Sequence, residues 1–198
     1  MKLILASNNE KKLKELREIL TQMGHEVQTQ QEAGCHFEVA ETGGTFLENA
    51  RLKAAAVVRA TGCAAIADDS GLAVEILGGA PGVDSAYYGG ESCKTDEERT
   101  RHLLQNMKGQ INRRARFVSC IVCLFPNGRS IEAEGSVTGE ILTEPQGEGG
   151  FGYDPVFYIP EKGQTFAQMS AETKHSLSHR GRALKKFKEK WEEIYVNK

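Results

Sequence analysis

Two adjacent carboxylates, Asp68 and Asp69, follow an apolar run, Cys63-Ala64-Ala65-Ile66-Ala67, and precede Ser70, Gly71 and Leu72. Carboxylates of this kind hold a hard cation such as Mg²⁺ or take a proton from water. The apolar run reads as a short buried strand, and loops at the carboxyl ends of such strands are where open α/β sheets keep their ligands. The plainer alternative is an Asp-Ser-Gly turn. Lysines that could answer these carboxylates stand elsewhere. Lys12 falls in the first turn of a predicted helix, where the dipole disfavours a cation. A bound phosphate would reverse that penalty, and a surface position in Lys11-Lys12-Leu13-Lys14 is the alternative. Asn49 and Lys53 lie one turn apart and share a helix face, with Glu41 just upstream as a second carboxylate for a cation. The alternative there is a solvated face.

A second kind of chemistry is offered further on. Phe151 and Tyr153 stand in a glycine-rich stretch, Gly147-Glu148-Gly149-Gly150-Phe151-Gly152-Tyr153-Asp154-Pro155. Aromatic rings on such a loop suit the stacking of a base, or they anchor the loop to the core. His179 and Arg180 follow Ser178 at the start of the last helix, so another cation sits at a helix N-terminus and suits an anionic or carbonyl-rich partner.

The elements that must position these groups read as alternating strands and helices. Residues 2–6 form a first buried strand, 7–9 a polar turn, and a helix opens at Glu10 with Leu13, Leu16, Ile19, Leu20 and Met23 on one side and Gly24 at its end. Strand, polar turn and helix together point N–H groups at an anion. Residues 27–34 carry no clear signal, and 37–44 suggest a strand edge and then a loop. Thr45-Phe46-Leu47-Glu48 is a capping box, opening a helix to about Ala60. Residues 72–77 suggest a short strand. Thr95 opens another helix with acidic first-turn residues. Residues 114–124 and 130–137, joined through Pro126-Asn127-Gly128, predict a hairpin, with 135–143 a candidate third strand. Residues 156–159 read as a strand and 165–174 as a short helix or turn. Ser178 caps a final helix with the stripe Leu184, Phe187, Trp191 and Ile194.

With 198 residues, the chain is long enough for a real core. A net charge of −2 provides no field for gripping nucleic acid, and no apolar run approaches a membrane span. The five cysteines are odd in number and irregular in spacing, which points to a reducing, cytoplasmic setting. Cys120 and Cys123 form a CxxC, but within a β-like run they face opposite sides and have no partner motif for zinc.

Six motifs occur in one order: Ser-Asn-Asn-x-x-Lys at 7–12, Thr-Phe-x-Glu-Asn-Ala at 45–50, Ala-Asp-Asp-Ser-Gly-Leu at 67–72, Gly-Gly-Ala-Pro-Gly-Val at 78–83, Gly-Gly-Phe-Gly-Tyr-Asp-Pro at 149–155 and Ser-His-Arg-Gly at 178–181. Together they resemble the inosine/xanthosine triphosphate pyrophosphatase family, the Ham1-like enzymes that remove deaminated purine nucleotides. The resemblance implies one pyrophosphatase domain over 1–198, an α/β fold with an elongated mixed sheet flanked by helices, and two lobes around a central cleft. It implies a homodimer and Mg²⁺-dependent hydrolysis of ITP, dITP or XTP to monophosphate and pyrophosphate. By matching position, Asp69 is the expected proton acceptor and, with Glu41, the metal ligand. Ser7, Asn8, Asn9, Glu10, Lys11, Lys12, Lys53 and Ser70 are expected on the phosphates. Phe151, Gly152, Tyr153, Asp154, Lys174, His179 and Arg180 are expected on the nucleotide. Asn8 departs from the family pattern, where many members carry glycine. Two other readings are a pyrophosphatase for modified pyrimidine nucleotides and a non-catalytic nucleotide sensor.

Overall fold

The computed structural model describes residues 1–195. Seven strands form one mixed sheet in the order β2-β1-β3-β4-β5-β6-β7. They are β1 (Lys2–Leu5), β2 (Glu26–Thr29), β3 (Ala64–Val74), β4 (Arg114–Leu124), β5 (Ser130–Ile141), β6 (Phe157–Ile159) and β7 (Gln164–Thr165). The helices are α1 (Glu10–Gln22), α2 (Phe46–Thr61), α3 (Asp96–Asn106), α4 (Ala171–Leu177) and α5 (His179–Tyr195). β1 runs parallel to both β2 and β3, whereas β6 is antiparallel to β5 and to β7. Among the described residues no helix is long and apolar enough to cross a membrane.

The chain divides into two compact units. Among the described residues the first comprises 1–69, 119–134 and 183–195. Strand alternation sorts its apolar residues into two layers. Leu3, Leu5, Ala64 and Ile66 pack with Leu16 and Leu20 of α1 and with Leu184, Phe187 and Trp191 of α5. Ile4, Ala6, Ala65 and Ala67 pack with Ala50, Ala54 and Val57 of α2. The α5 stripe expected from the sequence is therefore buried as expected. The expected capping box of α2 also forms, with Thr45 and Glu48 satisfying each other's backbone N–H.

The second unit comprises 70–118 and 135–182. Its core joins Leu72 and Val74 of β3, Phe117 of β4, Val137 and Ile141 of β5, Leu103 and Met107 at α3, and Tyr153, Phe157 and Phe166.

Several expectations change, and the strand edge expected in 37–44 does not form. Asp68, Asp69, Ser70 and Gly71 lie inside β3, not in a loop after it, and 72–74 continue the same strand. Residues 135–141 extend β5 without a third strand. β2 forms where the sequence offers no clear signal, because its backbone pairs with β1 from Lys2↔Glu26 to Leu5↔Thr29. All five cysteines are free. Burial pushes the Cys120 and Cys123 thiols up to about 12, which leaves the CxxC chemically quiet.

Candidate active site

The first unit gathers Lys12, Glu41, Lys53, Asp68 and Asp69. Alternation along β3 sends neighbouring side chains to opposite faces. Asp68 therefore meets α1, where Lys12 Nζ lies 3.3 Å from its Oδ1. Asp69 meets α2, where Lys53 Nζ lies 2.9 Å from its Oδ1. The same ammonium donates to Glu41 Oε1 at 2.7 Å, so Lys53 bridges two carboxylates. Lys12 is not the surface lysine of the alternative reading, since only 14% of its side chain is exposed, against 0% for Asp68.

Local hydrogen bonds hold these groups in place. Asn9 Oδ1 accepts from the Lys12 N–H at 3.2 Å, which caps α1 and sets its first turn. Ser7 Oγ accepts from the Asn9 N–H. Gln30 donates to Asn8 Oδ1 and to the Phe37 carbonyl. The loop carrying Glu41 is fastened to α2, because Asn49 Oδ1 accepts from the Gly43 N–H at 2.8 Å. Asn49 is buried, so its face of α2 is not a solvated one.

Burial raises the Asp69 carboxyl above its ordinary value, and Lys53 and Lys12 oppose that rise without cancelling it. Burial also works against the Lys53 ammonium, but Asp69, Asp68 and Glu41 outweigh it and hold Lys53 above its ordinary value. Asp69 Oδ2 is buried and has no hydrogen-bond partner. Such an atom is costly unless something binds it.

The second unit gathers Ser70, Phe151, Asp154, Lys174, His179 and Arg180. Asp154 is buried and pairs with Lys174 Nζ at 2.5 Å. Burial raises its carboxyl, opposed by Lys174, by the Phe151 N–H and by Arg180. Lys174 Nζ sits 4.7 Å from the centre of the Phe151 ring, and the Arg180 guanidinium lies 5.9 Å from it. Arg180 Nη2 also donates to Ser70 Oγ at 3.1 Å. His179 and Arg180 are both buried, at the first turn of α5. Ser178 Oγ accepts there from the Gly181 N–H at 3.1 Å, the cap expected from the sequence.

The glycines of 147–152 serve the protein's own packing. A side chain on Gly150, whose φ is +76°, would strike the Asp154 carboxylate. One on Gly149 would come within 2.8 Å of the Ala167 carbonyl oxygen. The Gly152 N–H donates to Asp96 Oδ2 at 2.8 Å, tying the loop to α3. Tyr153 corrects an expectation: it is buried, and its hydroxyl donates to the Ser85 carbonyl at 2.8 Å. This favours the anchor of the two readings open for its ring, whereas Phe151 is half-buried among cations.

Of the other expected residues, Ser7 is half-buried, and Asn8, Asn9 and Glu10 are exposed around the start of α1. The side chain of Lys11 lies outside those described. Sequence reasoning missed Asp68 as the partner of Lys12. The available signal was period-two alternation, which gives two consecutive acids on a strand two different neighbours.

Buried carboxylates paired with lysines mark the first unit of this α/β protein, and an aromatic–cation cluster marks the second. The chain belongs to the Ham1 family, whose profile matches residues 3–190. It is 52% identical over 188 residues to the dITP/XTP pyrophosphatase of Thermus thermophilus, covering 93% of this chain and 89% of that one. It is 50% identical over 199 residues to that of Desulforamulus reducens, covering 100% and 98%. The Ham1 protein of Staphylococcus aureus superposes with a TM-score of 0.91 at 40% identity, over 98% of this chain and 100% of that one. A HAM1 protein of Coxiella burnetii gives 0.91 at 38% identity, over 98% and 99%.

Proposed function

We propose that this protein is a nucleoside triphosphate pyrophosphatase that converts dITP, ITP and XTP to the monophosphate and pyrophosphate, removing them from the nucleotide pool. The full-length likeness to dITP/XTP pyrophosphatases supports the substrate class. The observation that carries the chemistry is Asp69, a buried carboxylate raised by burial and oriented by Lys53, with its second oxygen unpartnered.

A divalent cation fits this donor set. Among the described residues no group of three or more His, Cys, Asp and Glu could hold a metal. Mg²⁺ does not require one, because it binds through one or two carboxylates and completes its shell with waters and substrate phosphates. Asp69, through its unpartnered oxygen, and Glu41 would hold it. When bound, Mg²⁺ supplies Lewis-acid neutralisation of phosphate charge. Lys12 and Lys53 add positive charge that can move from protein carboxylates to phosphate oxygens. Asp69 accepts a proton from the attacking water. The new bond joins that water's oxygen to the α-phosphorus, the bond to the bridging oxygen breaks, and pyrophosphate leaves.

Base selection is assigned to Phe151, Lys174, His179 and Arg180. Inosine and xanthosine carry an oxygen at the purine 6-position, which a buried donor such as Arg180 can satisfy. Adenosine presents a donor there and would leave two donors facing each other, a loss of several kcal/mol. On this reading the chain acts as one pyrophosphatase domain, works as a homodimer and resides in the cytoplasm, a setting that five free thiols suit.

A pyrophosphate-release panel over ITP, dITP, XTP, GTP and ATP, with and without Mg²⁺, tests this function. Strong turnover of the first three, weak turnover of ATP and dependence on Mg²⁺ are expected. Equal rates on ATP would refute the selection argument, and no release from any nucleotide would refute the activity.

A further inference from the structure

Phe117 lies on β4 in the core of the second unit, only 7% exposed, and no motif in the sequence singles it out. Its ring is parallel to the His179 imidazole, with centroids 4.7 Å apart and planes inclined by 14°. On the same unit it is parallel to Phe166 within 9°, at 6.0 Å. Lys174 Nζ in turn lies 5.8 Å from the Phe166 ring centre. Two side chains assigned to the nucleotide, His179 and Lys174, thus adjoin one aromatic tier built from core residues.

The His179 backbone is already determined by the α5 cap. Two side-chain torsions then set the plane of the imidazole, and the one about its bond to Cβ is intrinsically broad for a ring attached to an sp³ carbon. A flat, parallel neighbour restricts that rotation. We propose that Phe117 is a positioning residue for nucleobase recognition, holding the plane of the His179 ring so that its polar edge meets the base in one orientation. This rests on the assignment of His179 to the nucleotide made above. Losing the plate loosens the plane of the imidazole and weakens binding of ground state and transition state alike. KM therefore rises and kcat does not change.

The test compares Phe117→Leu with Phe117→Tyr, which keeps the ring, and with Leu103→Ala, which damages the same core but leaves all the stacked rings in the chain. Aromatic contacts of this type set the expected size, a three- to tenfold rise in KM for dITP and XTP in Phe117→Leu, about the ratio such contacts are worth. Phe117→Tyr should keep the wild-type KM, and Leu103→Ala should lose thermal stability with KM intact. A purely structural role predicts lower stability with KM unmoved in Phe117→Leu, and that result overturns the proposal. Proton NMR gives a second readout that does not depend on Phe117→Leu folding. The His179 ε1 proton, assigned by its loss in His179→Gln, should be shifted upfield by the Phe117 ring current in the wild type and in Phe117→Tyr. An unshifted resonance in the wild type overturns the proposal. Absence of any dITP or XTP turnover by the wild type would instead refute the pyrophosphatase assignment, which the NMR measurement does not address.

Discussion

Asp68 and Asp69 are adjacent in sequence and carry their carboxylates to opposite faces of one strand, the first to Lys12 of α1 and the second to Lys53 of α2. Their jobs differ accordingly. Asp69 has an oxygen left for chemistry, so Asp69→Asn should lower turnover by about 10²–10⁴-fold, the usual worth of a general base. The variant should keep the wild-type circular dichroism spectrum, because Asn matches Asp in shape and Lys53 retains Glu41. Pyrophosphate release near the wild-type rate would remove Asp69 from the mechanism.

Asp68 is expected to matter for stability through Lys12. Lys12→Met removes the ammonium that lies 3.3 Å from a fully buried carboxylate, which should cost about 3–5 kcal/mol. Adding Asp68→Asn to that variant should recover much of the loss, since the charge is then gone. Urea denaturation of the two single variants and the double variant checks this as a cycle. Additive losses would mean that the pair is not coupled.

Asp154 makes a pH-dependent prediction. Its carboxyl is raised by burial and partly brought back by Lys174. A group raised in the folded state stabilises most below its unfolded value and loses that contribution as pH climbs through the folded value. Lys174→Met removes the counter-ion and raises Asp154 further. The variant's deficit in melting temperature should therefore be largest at neutral pH and shrink toward pH 4, near the ordinary aspartate value of 3.8. A deficit independent of pH between 4 and 7 would contradict the pairing.

Gly181 allows α5 to start where it does. A Cβ there would collide with the His175 carbonyl at the end of α4. Gly181→Ala should therefore destabilise by about 1–3 kcal/mol, although alanine is the better helix former by about 1 kcal/mol. It should also raise KM, because His179 and Arg180 move with that turn. Thermal melting with KM measurements decides the point. A stabilised variant would show that the turn has room to shift.

Much of this was legible in the residues. The α2 cap is a local contest between Thr45, Glu48 and nearby N–H groups, so four residues of sequence suffice to see it. The stripe on α5 is visible because helical period depends on local geometry. Asp69 was visible through the order of six motifs, and Lys53 through its helical spacing from Asn49.

What stayed hidden was pairing between distant segments. β2 has little apolar pattern of its own and forms because β1 offers it a backbone edge. The Asp-Asp-Ser-Gly stretch resembles a turn until neighbouring strands take its hydrogen bonds and extend β3 through it. Sequence left Tyr153 open between stacking and anchoring, and the bond from its hydroxyl to the Ser85 carbonyl, 68 residues away, favours the anchor. The order of residues by itself determined the local elements and the chemistry on offer. Which acid meets which lysine, and which aromatic ring turns inward, was decided only by tertiary structure, because those choices depend on burial and on partners that no local stretch of chain contains.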